Sequence, residues 1–400
     1  TYILLFTSLF NVLNSTLTVP FSLSNTYRII EQFAFQKCPF NEFTIPSSVV
    51  YIGDYAFFNC FFDTFNIDSA SKLRFIGKRA FYYSGLSTIS IPPLVEKICE
   101  GAFNDCIRLK SVYISENSKL KILEDMLFAL SSIESFAVPS SVIIIGNETF
   151  KGCKNLKNVE FPKDSKLQII GEAAFCNSNI VNITIPSSVT KICDAAFENC
   201  IKLENVNFSE NSELISIGKY AFANADIKSI NIPSHLKIIS EYALSVYNLE
   251  KVDIQDDSEL KTIEKNAFSE SEIKSFFIPE YLADLNDGWC EETKHLIEIK
   301  VHQNNKKFIY FQNKLLISKT NEESEEYDKI IFCRRDIEEI EIPSFIKIIG
   351  SYSFNKCDKL KSLTFESNSN LEVIEEDAFS YSSIESISIP PTVKSIKKNA

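Results

Sequence analysis

Among its 400 residues this chain has one tryptophan, one methionine and three histidines. So few imidazoles leave little material for general acid or base work near neutral pH. The spacings H-E-x-x-H, G-x-S-x-G and G-K-[ST] are missing, and with them the usual frames for metal-assisted hydrolysis, a serine nucleophile and a phosphate loop. No C-x-x-C occurs, so the eleven cysteines lack the common spacing of a zinc site. Positive charge is also short: 41 Lys and Arg stand against 53 Asp and Glu, a net charge of −12. Without clustered cations the chain has nothing with which to displace counterions from nucleic acid. Nor is it drawn to an anionic membrane surface. The apolar run Tyr2–Leu13, "YILLFTSLFNVL", is too short to cross a bilayer. These absences exclude a recognisable enzyme, and no cofactor or metal is expected.

What the chain has instead is phenylalanine and repetition. The segment "IPSSVVYIGDYAFFNC" at 45–60 returns as "IPSSVTKICDAAFENC" at 185–200. An Ile or Val before Pro recurs at Ile45, Ile91, Val138, Ile185, Ile232, Ile278, Ile342 and Ile389. Between these marks stand Ile67, Ile114, Phe161, Phe208, Ile254, Val301 and Phe365, so the unit is 22–24 residues in two alternating types, about fifteen copies. Leu17–Pro20, "LTVP", resembles a degenerate further copy. Each copy carries apolar-x-x-apolar-x-apolar, as at Leu86, Ile89 and Ile91, and its second half alternates as a half-buried strand does. Some ten residues later comes Ala-Phe or a variant, and twelve of the 33 phenylalanines fall on that position. They are expected to be a structural stack. A 23-residue unit cannot bury its apolar face alone, so neighbours must share one core.

The motifs "IPSSV", "IG..AF..C" and "L..V.F", as in Ile185–Phe208, make the chain resemble the BspA-like leucine-rich repeat surface antigens of bacteria and protists. The resemblance covers residues 20–400. It implies a β-rich α/β leucine-rich-repeat solenoid, a curved horseshoe or superhelix. One short parallel strand per repeat would line the concave side, with turns or short helical segments on the convex side. One gap departs from the pattern: Val301 to Ile342 spans 41 residues. The excess lies within 302–335, where "FIYF", "KLLIS" and "KIIFC" read as short strands around an acidic loop, a hairpin inserted in a single solenoid. Residues 1–19 read either as a truncated secretory signal or as an N-terminal cap. The pattern stops in mid-repeat at "SIKKNA".

Cys60, Cys106, Cys153 and Cys200 sit three residues after the spine phenylalanine, with Ser84, Ser131 and Ser178 on the repeats between. Two repeats at the sheet spacing separate successive cysteines by about 9–10 Å, beyond the roughly 7 Å a disulfide allows. They are expected as small buried hydrophobes. Only Cys38 and Cys60 lie close enough in the repeat to bridge. Six of the ten glycines follow the Ile of the "IG" step, and Cys or Glu takes that place elsewhere, so the glycines read as a turn preference. The sequons at Asn14, Asn147, Asn182 and Asn207 carry no weight, being near the number chance gives.

Function is therefore expected in what varies between copies. The outward strand positions are Thr88, Ser90, Ser111, Tyr113, Asn158, Glu160, Asn182, Thr184, Asn205, Asn207, Ser229, Asn231, Phe277, Glu339 and Glu341, continued by Ser362, Thr364, Ser386 and Ser388. The resemblance implies a non-enzymatic surface protein that binds protein ligands, host, matrix or other cells, through this face. It implies a cell-surface or secreted location, with membrane attachment only through segments outside residues 1–400. The alternative is a cytoplasmic interaction scaffold of the same fold, which the unpaired cysteines favour.

Overall fold

Apolar and polar residues alternating over four positions, followed by a small-residue turn, force the chain to wind rather than to fold back. The computed structural model describes residues 21–400 except 322 and 324. The run Tyr2–Leu13, the "LTVP" segment and Asn14 lie outside the described residues. The chain divides into two compact units, one ending at Ser212 and one beginning at Glu213. Each is a parallel-strand β-solenoid, and no helix occurs among the described residues.

In the first unit the strands Asn158–Glu160, Asn182–Ile185 and Asn205–Phe208 pair in parallel, as Thr88–Ile91 does with Ser111–Ile114. Their inward residues, such as Ile183 and Val206, are buried and their outward ones exposed. The structure adds a second ladder of two-residue strands at the "IG" step: Tyr51–Ile52, Phe75–Ile76 and Lys97–Ile98 pair in parallel, as do Ile122–Leu123, Ile144–Ile145, Ile169–Ile170 and Lys191–Ile192. Two residues are too few to give a period-two signal.

This ladder corrects the reading of the glycines. A Cβ on Gly53 would lie 2.6 Å from the amide nitrogen of Gln32, and one on Gly171 would lie 2.6 Å from the carbonyl carbon of Gly146. Close approach of neighbouring turns selects glycine there, and no left-handed backbone is involved.

The third side of each turn is also bonded from copy to copy. Phe57 donates its amide to Ala80, Phe81 to Ala102, Phe150 to Ala174 and Phe175 to Ala196, at 2.7–2.8 Å. The spine phenylalanine is thus fixed by the backbone that flanks it, between residues such as Tyr55 and Asn59 that hold positive φ. The rings follow the backbone spacing: 5.1 Å from Phe57 to Phe81, 5.2 Å from Phe150 to Phe175 and 5.1 Å from Phe175 to Phe197, all nearly parallel. The phenylalanines form the stack that their periodicity indicates.

The cysteines complete the interior of this unit. All eleven in the chain are free, so the Cys38–Cys60 bridge is not formed. Cys60 donates its thiol to the carbonyl of Phe35 at 2.7 Å, and Cys106, Cys153 and Cys200 donate to Phe81, Phe128 and Phe175 at 3.1 Å. The alternating serines fill the same file: Ser84–Cys106, Ser131–Cys153 and Ser178–Cys200 each meet at 3.4 Å. Burial pushes Cys106 and Cys200 up to about 12 and Cys153 to about 11, and raises Cys60 further. Since the thiolate is the nucleophile, these four should resist alkylation of the native chain while half-buried Cys99 and Cys193 react. Peptide mapping after native alkylation checks this, and labelling of the four at the rate of Cys99 would contradict it.

In the second unit the strands Ser229–Ile232 and Lys251–Ile254, Ser275–Ile278 and Glu298–Val301, and Glu339–Ile342 and Ser362–Phe365 form parallel pairs. The extra residues build an antiparallel meander. Phe308–Phe311 pairs with Leu315–Ser318, which pairs with Lys329–Cys333. That last strand joins the short-strand ladder in parallel with Ile348–Ile349. Leu315–Ser318 is wholly buried, so the meander packs as one layer of the core. The sequence reading missed its anchor, Asn305, which stands where Ser71, Ser118, Ser165, Ser258 and Ser369 stand in sister copies.

Candidate functional site

Strand geometry puts every second residue of a rung outside. Thr88, Ser90, Tyr113, Asn158, Glu160, Asn182, Thr184, Asn205 and Asn207 are exposed in the first unit, and Ser111 is half-buried. Register makes them files. Thr88 stands beside Ser111 and Ser90 beside Tyr113, while Asn158, Asn182 and Asn205 follow one another on adjacent rungs. Thr184 neighbours Asn207 in the parallel file. Asn205 donates its side-chain amide to the Asn182 oxygen at 2.6 Å, so these two asparagines are held together across adjacent rungs. Tyr113, a large aromatic on this face, is 62% exposed. Apart from Glu160, these residues present neutral donors and acceptors at the spacing of the rungs.

The second unit differs. Ser229, Asn231, Glu339 and Glu341 are exposed there, with Ser362 and Thr364 beside the two glutamates. Phe277 is half-buried, its ring 6.3 Å from that of His302, and is not a free anchor. The sequence reading passed over Lys251, Asp253, Glu298 and Lys300, although they occupy the same outward strand positions. Lys251 pairs with Asp253 at 2.7 Å and Lys300 with Glu298 at 3.3 Å. These charges break the run of neutral polar residues, which is longer in the first unit, where Glu160 is the charged member of the residues named.

The histidines are spent on surface pairs: His235 lies 3.0 Å from Glu259, His295 3.0 Å from Glu272 and His302 4.0 Å from Glu280. No helix among the described residues is long and apolar enough to cross a membrane.

Comparison with known proteins accords with this geometry. The family model described as the BspA type leucine rich repeat region matches residues 11–129, 121–243, 211–321 and 310–400. A search of curated proteins finds no match. Among solved structures, a leucine-rich repeat protein from Bacteroides ovatus is similar at 21% identity and a TM-score of 0.50, over 89% of this chain and 83% of that one. The pneumococcal vaccine antigen PcpA aligns at 20% identity and 0.45, over 92% and 78% of the two chains. A leucine rich cell surface protein from Faecalibacterium prausnitzii aligns at 19% and 0.38, over 85% and 83%. The first of these likenesses speaks for the fold.

Proposed function

Because this chain belongs to the BspA-type leucine-rich repeat family, a family of non-enzymatic repeat proteins, we propose that it is a protein-binding module without catalytic activity. Its ligand lies on the strand face of the first unit, and its setting is adhesion at a cell surface. The observation that carries the reading is the file Asn158–Asn182–Asn205 on adjacent rungs, with Asn205 hydrogen-bonded to Asn182, beside Thr184 and Asn207. Amides held in place offer donors and acceptors at fixed spacing, and less side-chain freedom is lost when a partner docks. Repeat proteins of this architecture bind along such extended strand surfaces.

The test is binding of the purified chain to intact epithelial cells and to an immobilised collagen-rich matrix. Asn182→Lys with Asn205→Lys is expected to weaken binding by about tenfold or more, an effect of the size seen at interface anchors, with an unchanged far-UV spectrum. Equal binding by the variant would remove the site from this face. Failure of the wild-type chain to bind either probe would remove the adhesion reading.

A second reading, an interaction scaffold inside the cell, is favoured by one observation: all eleven cysteines are free, whereas secreted chains commonly pair theirs. Protease treatment of intact producing cells separates the two. Loss of the chain from intact cells supports the surface, and protection until lysis supports the scaffold.

A further inference from the structure

Among the described residues, the long strands of the first unit hold no lysine or arginine. From Pro39–Ile45 to Asn205–Phe208 their carboxylates are Glu42, Asp63 and Glu160. Between Thr88 and Asn207 the outward strand places are otherwise Ser, Thr and Asn, with one alanine and one tyrosine. That composition does not suit the buried centre of a contact between two polypeptide surfaces. Such centres are rich in aromatic residues, Met and Arg, and their anchors are seldom Ser or Thr. No outward Arg, Met, Leu or Phe stands on these strands.

What the face offers is hydroxyl and carboxamide groups, each able to give and to take a hydrogen bond. Two of the amides are fixed against each other, Asn205 donating to Asn182 at 2.6 Å. A ligand that answers these groups must itself be dense in hydroxyls. It must also lack strong negative charge, because a face without cations gives sulfate, phosphate or carboxylate groups no ionic partner.

The tyrosine adds a second requirement. Tyr113 is 62% exposed. Ser90 stands beside it on one neighbouring rung, and Ala137 holds the corresponding place on the other. Both are too small to cover the ring, so its face is open to stacking. A hexose has C–H groups on its own face and hydroxyls around its rim. The partly positive C–H groups match the negative face of an aromatic ring, and the rim matches the Ser, Thr and Asn files.

The length is also informative. From the Tyr113 rung to the Asn205 rung is four rung spacings, about 19 Å, a path for several sugars in line. A long linear polysaccharide would gain from a ring on every few rungs. One ring at one end of an amide file fits the short chain that a glycoprotein carries.

We propose that the strand face of the first unit recognises the neutral glycan of a cell-surface glycoprotein. Tyr113 stacks on one sugar, and Asn158, Asn182 and Asn205 bond to the hydroxyls of those that follow. The inference rests on the reading of this face as the adhesive one, and names the chemistry that it recognises.

The test uses the purified full chain and immobilised oligosaccharides: a mannose-rich glycan, an asialo N-acetyllactosamine glycan, a linear β-glucan and heparin. Binding is expected to one of the two glycoprotein glycans and not to heparin. Tyr113→Ala should weaken it about tenfold or more, the scale of an interface anchor, with an unchanged far-UV spectrum. Tyr113→Phe keeps the ring and should retain binding. Tyr247→Ala removes a similarly exposed tyrosine from a turn of the second unit and should leave binding as it is. Binding to no neutral glycan, to the β-glucan alone, or with equal affinity in Tyr113→Ala would overturn the proposal.

Epithelial cells separate this inference from the adhesion reading. If enzymatic removal of their N-linked and O-linked glycans leaves attachment of the wild-type chain intact, adhesion stands and the glycan proposal falls. If the chain binds the immobilised glycan but not the cells, the glycan proposal stands and adhesion falls.

Discussion

Phe175→Ala is expected to destabilise the first unit by about 3–5 kcal/mol, the range for deleting a buried aromatic ring and leaving its cavity. The ring is fully buried and lies between Phe150 at 5.2 Å and Phe197 at 5.1 Å, within 7° of parallel to both. Neither neighbour can collapse into the gap, because its own backbone is pinned to the next turn: Phe150 donates to Ala174 at 2.7 Å and Phe175 to Ala196 at 2.8 Å. A solenoid's stability is close to a sum of rungs and their nearest-neighbour interfaces, so the damage should be local as well as large. Urea unfolding followed by far-UV circular dichroism gives the size, and amide hydrogen exchange gives the place. Protection should fall at the turns around Phe150, Phe175 and Phe197 and hold around Phe57. A loss below about 1 kcal/mol, the scale of a tolerated core swap, would mean the stack is not what holds the turns together.

That spine was legible because it repeats. Twelve phenylalanines on one position leave little choice of explanation, and the outward Thr, Ser and Asn positions follow from the same register. What failed to show was whatever departs from the repeat or needs a neighbour to be seen. The short strands such as Tyr51–Ile52 hold two residues each, too few for any periodicity. The reason for Gly53 lies in the backbone at Gln32, a contact between turns that composition cannot reveal. The asparagine pair was half visible: the residues were found, but the hydrogen bond from Asn205 to Asn182 depends on rotamers. Arg335 was hidden for a further reason. The insertion removes it from the register, so nothing in the sequence marks its guanidinium, 3% exposed, as interior. The candidate face is therefore a product of the repeat.

The insertion itself depends on one side chain, and Asn305→Leu is expected to destabilise the second unit by about 3–5 kcal/mol, since each buried polar group left unpaired costs roughly 1–3 kcal/mol. In sister copies the residue at this place is a serine that accepts one amide two residues ahead, as Ser71 accepts Leu73 at 3.1 Å and Ser258 accepts Leu260 at 3.3 Å. Asn305 does this and more. Its oxygen accepts the amides of Lys307 and Phe308 at 2.9 Å, turning the chain into the meander. Its nitrogen donates to the carbonyls of Pro279 at 2.7 Å and Leu282 at 3.0 Å, clamping the meander to the preceding turn. Leucine keeps the branched shape but satisfies neither end, so the strand Phe308–Phe311 loses its start. Asn305→Ser keeps an acceptor for the amides and loses the clamp, and should cost less than half as much. The single tryptophan, Trp289, is buried in this unit with its ring 4.8 Å from that of Phe276, so its fluorescence follows the transition directly. Urea midpoints for the three proteins should fall in the order wild type, serine, leucine. A leucine variant as stable as the serine variant would show that packing rather than hydrogen bonding seats the insertion.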